Sequence, residues 1–357
     1  MITLSLAMIV KNEEAVLRRC LASISHIVDE IVIVDTGSTD GTKQIAGEFT
    51  QKIFDFKWVD DFSAARNFSF SKATGDYVMW LDADDYLTEE DQEKLLAVKI
   101  NFDTGIDMAM LRYNLAFDAL GRPTVTNFRE RIMRRSFGYL WMEPVHECIT
   151  PQGRVEQFEI AITHGEKVRK ASDRNLRILE KQKTLSTRGR FYYARELKDH
   201  GRYQEAVVQY ERLLEAGEAW REDNISACFE ASYCYEMLGE KEKGIPFLLR
   251  TFLYDLPRSK ACCLLGEYFI GKKDYASALY WCDLALQPNS QKEGGFVQKD
   301  YFGYLPHMHM VVIYDTLGQY EKAFWHHLKA KALKPEAECV LANIPYFAGL
   351  GFVEPAL

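Results

Sequence analysis

Asp82 and Asp84 stand two residues apart, directly after the apolar run Tyr77 to Leu81. Two carboxylates at that spacing on a strand end can offer oxygen to one hard divalent cation, Mg²⁺ or Mn²⁺. A cation held this way keeps open positions for phosphate oxygens and stabilises charge gathering on a departing diphosphate. The competing reading is a solvated turn that caps a helix starting near Thr88. Asp35 closes a second apolar run, Glu30 to Asp35. A carboxylate there can accept from a base N–H or a ribose hydroxyl, or it can join Ser38 and Asp40 in an Asx turn. Arg66, inside Asp61 to Asn67, carries a planar fork that suits a diphosphate or an acidic neighbour. Asn12 and Glu13 follow a third apolar run that ends at Val10.

Such clusters act together only if one scaffold gathers them. Ile2–Val10, Glu30–Asp35 and Tyr77–Leu81 read as buried strands, apolar on both faces. Helical patterns separate them, the first through Leu17, Leu21 and Ile24. Strand, turn and helix in repetition predict a Rossmann-like α/β domain with a mostly parallel sheet. Ligands of such sheets gather at the carboxyl ends of the strands, where every one of these clusters falls.

From about Gly189 the strand signals stop. Gly201–Ala206, Gly239–Gly244, Lys273–Ala278 and Gly318–Ala323 resemble one another, with starts 38, 34 and 45 residues apart. A helical-hairpin repeat of the TPR type has a period of about 34 residues with small residues where its helices meet. Pro288 and Pro335 read as helix stops, and Gln291 to Lys299 as a polar loop that lengthens the last interval. The expected organisation is a catalytic domain over 1–168, a charged helical linker over 169–188 and a TPR-like repeat domain over 189–357. His326 and His327 diverge around their helix, as do His307 and His309, so no metal site is expected there.

Lys+Arg 44 against Asp+Glu 52 leaves a net charge of −8, which argues against nucleic-acid binding. No apolar run approaches the ~20 residues of a membrane span, and Leu4 to Val10 is too short for a signal-peptide core. The eight cysteines form no CxxC pair; they read as reduced, mostly buried thiols of a cytoplasmic protein.

The strings SLAMIVKNEE, EIVIVDTGSTDGT, DFSAARNFSF and GDYVMWLDADD occur in that order. With them, Ile2 to His164 resembles the inverting nucleotide-sugar glycosyltransferases of family two, which have the GT-A fold. A TPR-like tail is similar to one bacterial branch, which includes the S-glycosyltransferases that modify bacteriocin peptides. The resemblance implies nucleotide contacts at Val10, Asn12 and Glu13, a uracil or ribose contact at Asp35, and a nucleotide or diphosphate contact at Arg66. It implies a metal motif over Asp82, Ala83 and Asp84, with Asp84 the more direct ligand of Mg²⁺ or Mn²⁺. It implies transfer of a hexose from a UDP-sugar to a peptide or protein side chain (Cys, Ser or Thr). The alternative acceptor is a saccharide or cell-surface glycan, the repeats then serving partner binding or homodimer formation.

Inverting transfer to a hydroxyl needs a carboxylate within reach of the acceptor proton. Glu147 is the leading candidate, with His146 positioning substrate and Glu143 as the fallback. These residues resemble the "HE" element that follows an arginine-rich strand in the TPR-linked branch, here Phe128 to Arg135. The other reading is that His146 and Glu147 tie a loop down. A thiol acceptor weakens the need for a base, because thiols ionise more readily than alcohols. His164, at the end of an apolar segment, reads as a third metal ligand, a diphosphate contact or a structural histidine.

Overall fold

The structure, a computed structural model, describes residues 1–118, 121–165, 173–287 and 298–353. The chain divides into two compact units, Met1–Tyr192 and Tyr193–Leu357. Pro288, most of the Gln291–Lys299 loop and the first residues of the expected linker lie outside the described residues.

In the first unit, β1 (Leu4–Val10) and β2 (Glu30–Asp35) pair in parallel, ending with Val10 beside Asp35. β3 (Ile53–Asp55) lies parallel on the far side of β2, and β4 (Tyr77–Met79) parallel on the far side of β1. β1 therefore separates the two acidic loops and places both at one edge. The remaining strands are β5 (Asp85–Tyr86), β6 (Met108–Phe117), β7 (Pro123–Arg134) and β8 (Val155–His164). They complete an eight-stranded sheet of order β3-β2-β1-β4-β7-β6-β8-β5. Here β7 runs antiparallel to β4 and β6, and β5 antiparallel to β8. The fold class is as expected in its layout, an α/β domain followed by a unit that is helical throughout its described residues. The sheet is mixed beyond β4, a feature the β1–β4 pattern did not announce.

The helices cover the sheet with short apolar stripes. α1 (Leu17–Ile24) buries Leu17, Cys20, Leu21 and Ile24. α2 (Thr42–Gly47) buries Thr42 and Ala46, and α4 (Glu89–Ile100) buries Leu95 under a Thr88 cap. α3 (Phe62–Lys72) starts at Asp61, whose side chain accepts from the Ala64 N–H at 3.0 Å; such a cap contributes about 1 kcal/mol. α1 begins later than its pattern suggests. Asn12 adopts a left-handed φ of 54°, and the loop it opens bonds to the β2 loop instead of starting a helix. The charged stretch α5 (Arg174–Glu180) buries Leu176, Ile178 and Leu179, and Lys181 pairs with Asp60 at 2.6 Å, so it belongs to the first unit.

The second unit is helical throughout its described residues. The unit boundary falls within α6 (Thr187–Asp199). It is followed by α7 (Tyr203–Ala216), α8 (Arg221–Met237) and α9 (Lys241–Arg250). Then come α10 (Ser259–Gly271), α11 (Tyr275–Ala285), α12 (Tyr304–Thr316), α13 (Tyr320–Leu333) and α14 (Glu338–Gly349). The four sequence repeats mark the turns α6–α7, α8–α9, α10–α11 and α12–α13. Gly201, Gly239, Lys273 and Gly318 sit there with φ between 60° and 75°. Only glycine takes that conformation without cost, so Lys273 bears about 1 kcal/mol of strain. Five residues on, Ala206, Ala278 and Ala323 are fully buried and Gly244 is buried too. The small residues are therefore where the paired helices close. His307 and His326 meet across α12 and α13, Nδ1 to Nδ1 at 2.9 Å. Burial, then the neighbouring His307, lowers His326 to about 4. No helix among the described residues is long and apolar enough to cross a membrane.

A Cβ at Gly244 would come within 2.9 Å of Ser232 Oγ and 3.0 Å of its carbonyl oxygen. Gly244→Val should therefore destabilise the second unit by about 1–3 kcal/mol through overpacking. Urea denaturation of the full chain checks this; an unchanged midpoint would contradict the close approach of α8 and α9.

Candidate active site

The loops after β1 and β2 are laced to each other. The Asn12 N–H donates to Ser38 Oγ at 3.0 Å, and Asn12 Oδ1 accepts from the Thr39 N–H at 2.8 Å. The Glu13 N–H donates to Thr42 Oγ1 at 2.7 Å. Val10, Asn12, Glu13 and Asp35 thus form one ledge. Asp35 is buried and accepts from the N–H groups of Gly37 at 3.1 Å and Ser38 at 3.0 Å. The Asx turn is real, and it holds the Asp35 carboxylate at the strand end.

Across β1, the Asp82–Asp85 loop leaves β4. The Cys20 thiol donates to the Asp82 carbonyl at 3.4 Å, tying that loop to α1. Arg66, from α3, donates through Nη2 to Asp82 Oδ1 at 2.7 Å and through Nε to Glu147 Oε1 at 2.6 Å. Its guanidinium lies 4.7 Å from the centre of Trp80 and 4.8 Å from that of Trp141. Arg66 is almost fully buried. Of the two sequence readings, the acidic neighbour is the one realised, and there are two such neighbours. Burial works to raise Asp82, but the charges of Arg66, Arg131 and Arg129 outweigh it and hold the carboxyl at about 2.

Asp84 is buried, and its Oδ1 lies 3.7 Å from His164 Nδ1. The pairing of β5 with β8 brings this about, since Asp85 faces His164 in the register. Asp84, Asp85 and His164 each offer a ligand atom within 4.8 Å of the others. Asp85 is already engaged: Oδ1 accepts from the Tyr113 hydroxyl at 2.8 Å, and Oδ2 from Arg131 Nη1 and the Asp82 N–H, each at 3.1 Å. Asp84 and His164 are the better ligand candidates. Asp82 has one oxygen on Arg66 and lies outside that trio.

Glu143, His146 and Glu147 fall in a loop with left-handed backbone at Glu143 and His146, φ 72° and 55°. Glu143 accepts from Ser186 Oγ at 2.6 Å. The His146 ring stacks on Tyr192, centres 4.1 Å apart, and its carbonyl accepts from Arg188. Both are turned toward α6 and its approach. Glu147 alone of the three joins the Arg66–Asp82 network. Sequence reasoning passed over Trp80, Tyr113, Trp141, Asp85, Arg129 and Arg131. The arginines alone carried a signal, since Phe128 to Arg135 reads as an arginine-rich strand.

The donor chemistry fits a hard or borderline divalent cation. Among the described residues at this edge, Arg66 bonds Asp82 and Glu147, Arg129 bonds Glu130, Arg131 bonds Asp85, and Arg19 Nη2 donates to the Asp84 carbonyl at 3.4 Å.

Removing Arg66 leaves the partly exposed Asp82 and the half-buried Glu147 without their buried partner. Arg66→Met should cost about 1–3 kcal/mol at pH 7. Asp82 has a folded value below its usual 3.8, so its contribution is full above that pH and lost as pH falls through about 2. Asp82→Asn should therefore flatten the stability profile across that window. Chemical denaturation between pH 7 and 2 measures both; a wild-type slope in Asp82→Asn would refute the assignment.

Residues 5–153 match the family described as "Glycosyl transferase family 2". The chain is 34% identical over 98 residues to the SPbeta prophage-derived glycosyltransferase SunS of Bacillus subtilis, covering 27% of this chain and 23% of that protein. It is 35% identical over 92 residues to an uncharacterized glycosyltransferase of Rickettsia typhi, 26% of this chain and 31% of that one. It is also 50% identical over 90 residues to a TPR repeat-containing protein of Synechococcus elongatus, 25% of this chain and 22% of that protein. The matched stretches thus span less than a third of these relatives. Among solved structures, glucosyl-3-phosphoglycerate synthase of Mycobacterium tuberculosis with Mg²⁺ and UDP aligns at a TM-score of 0.35 and 17% identity, over 46% of this chain and 72% of that one. The four ordered motifs, the sheet edge they share and the family match agree: residues 5–153 of this chain are a glycosyl transferase family 2 domain.

Proposed function

We propose that this chain is a cytoplasmic, metal-dependent inverting glycosyltransferase that moves a hexose from a UDP-sugar to a Cys, Ser or Thr side chain of a peptide or protein. One observation carries the reading. Asp35, the Arg66–Asp82 pair and the Asp84–His164 pair stand at the same carboxyl edge of the sheet, on either side of β1.

The Asn12–Asp35 ledge receives the nucleoside. Asp84 and His164 hold Mn²⁺ or Mg²⁺, which when bound offsets charge on the departing diphosphate. The acceptor oxygen or sulfur attacks the anomeric carbon, and the bond from that carbon to the diphosphate oxygen breaks with its electron pair on UDP. The acceptor proton goes to Glu147. Its Oε1 is fixed by Arg66, and Oε2 makes no hydrogen bond to a described residue. In the second unit, a cavity of about 280 Å³ lined in part by Lys198, Phe229, Tyr233, Lys260, Glu267 and Tyr301 suits the acceptor peptide.

Incubation with UDP-hexoses, Mn²⁺ and candidate peptides, read by mass spectrometry beside a glycan acceptor, tests the proposal. Asp84→Ala should lose at least ~100-fold in turnover, the order expected when a group holding transition-state charge is removed. Full activity of that variant with a chelator present would reject it. Product on the glycan alone would move the acceptor class to saccharides. Glu147→Gln separates the acceptor atoms: a hydroxyl acceptor should lose ~10²–10⁴-fold in kcat, a thiol acceptor far less.

A further inference from the structure

Glu147 stands at the end of a closed loop that turns through two strained positions. The backbones of Met142 and Cys148 pair antiparallel, N–H to carbonyl in both directions, at 2.9 and 3.1 Å. Between them the chain folds back through left-handed backbone at Glu143, φ 72°, and His146, φ 55°. Neither is glycine, so both are strained and the surroundings must offset that strain. The middle of the loop is anchored to the first unit's core: Val145 is buried, and the Pro144 carbonyl accepts from the Phe62 N–H at 2.9 Å. The two strained positions are held from elsewhere, by one short stretch of chain. Ser186 Oγ donates to Glu143 Oε1 at 2.6 Å. Arg188 donates to the His146 carbonyl through Nε at 3.3 Å and Nη2 at 3.2 Å. Tyr192, one turn further along α6, lays its ring on that of His146, centres 4.1 Å apart and planes 14° apart. The Tyr192 hydroxyl accepts from Arg188 Nη2 at 3.2 Å, and the guanidinium lies 4.7 Å from the centre of the same ring.

The carbonyl that Arg188 grips belongs to the peptide group joining His146 to Glu147. A planar fork on one oxygen fixes that peptide group in direction as well as in place. It therefore sets the angle at which Glu147 leaves the loop. Glu147 Oε1 then meets Arg66 Nε at 2.6 Å. Among the described residues Arg188 makes no ion pair; its bonds go to a carbonyl and a phenol. We infer that Arg188 and Tyr192 are positioning residues that pin the His146–Glu147 peptide in its left-handed turn and so aim the Glu147 carboxylate at the acceptor atom. This rests on the reading of Glu147 as the group that takes the acceptor proton in the proposed transferase. Backbone strain persists only where the surroundings over-determine it, and it collects at functional positions. Here two strained residues bracket a loop whose next residue is the carboxylate, and both are clamped by the same stretch, Ser186 to Tyr192. A loop that served only to close the surface would not need its last peptide group held from three sides.

The test uses the full chain with Tyr192→Leu, Arg188→Gln, Glu147→Gln and the double variant Tyr192→Leu/Glu147→Gln. In hydrogen exchange without donor, Tyr192→Leu and Arg188→Gln should each speed exchange of residues 142–149 at least ~10-fold, with β1 and β2 unchanged. With a UDP-hexose, Mn²⁺ and a peptide or glycan hydroxyl that the wild type modifies, each should lower kcat ~10–100-fold and leave the KM for the donor unchanged. In the Glu147→Gln background, Tyr192→Leu should cost no more than about twofold further, because the aimed carboxylate is already gone. Losses that multiply in the double variant, or wild-type kcat beside a loosened loop, overturn the inference. Wild-type exchange in both clamp variants overturns it too. Arg188→Gln carries the same expectations where Tyr192→Leu does not fold. Transfer to thiols alone, unaffected by Glu147→Gln, would leave the transferase standing and remove this inference. A wild type that transfers to nothing sinks the transferase reading, and the exchange rates then decide by themselves whether Arg188 and Tyr192 pin the loop.

Discussion

The guanidinium of Arg66 is where three separate pieces of the first unit meet. It comes from α3 and holds Asp82 of the loop after β4 and Glu147 of a loop more than sixty residues further on. Trp80 and Trp141 cover its faces, themselves edge to face at 4.9 Å. A buried cation this enclosed is tolerable only when paired and hydrogen-bonded. The constraint runs both ways: without Arg66 the two acids repel, and without the acids Arg66 cannot be buried. The pairing also keeps Asp82 ionised, because the arginine charges overcome the burial that would otherwise favour its neutral form. The acidic loop, the Glu147 carboxylate and the helix are therefore set relative to one another by electrostatics, with the aromatic rings supplying the dry walls.

That network explains what was readable in the sequence and what was not. β2 was legible to the residue, because EIVIVD is apolar on both faces and ends in a carboxylate. The positions of Asp35 and Asp84 at a common edge followed from strand-end logic alone. The partner of Arg66 did not follow. Asp82 is sixteen residues away and Glu147 eighty-one, and only tertiary folding joins them. Asp85 was passed over for a related reason. Read as DxD, the motif directs attention to alternate residues, while the antiparallel pairing of β5 with β8 turns Asp85 inward. That pairing depends on the mixed half of the sheet, whose long strands lacked the turn signals and helical spacers that made β1, β2 and β4 visible.

The second unit was legible for the opposite reason, since its contacts are local. Each hairpin needs a left-handed residue at the turn and a small residue one helical turn into the next helix, and both leave marks in sequence. Lys273 shows that position matters more than residue type there: it takes the same backbone as Gly201, Gly239 and Gly318. What local spacing cannot report is contact between hairpin partners. His307 and His309 diverge on their helix, as do His326 and His327, yet His307 and His326 meet across the pair. Periodicity within one helix describes its faces; it says nothing of which faces touch.

The charge balance at the sheet edge connects the architecture to the chemistry. The arginines there are unevenly spent. Arg66 serves Asp82 and Glu147, Arg129 serves Glu130, and Arg131 serves Asp85. Arg19 Nη2 donates to the Asp84 carbonyl at 3.4 Å, and the Asp84 carboxylate lies 3.7 Å from the ring of His164, a side chain that can be neutral. Under the proposed reading, a divalent ion at Asp84 would reduce the repulsion these carboxylates present to a diphosphate, which would couple cation and donor binding. Arg66, enclosed and doubly paired, keeps the negative charges of Asp82 and Glu147 in place.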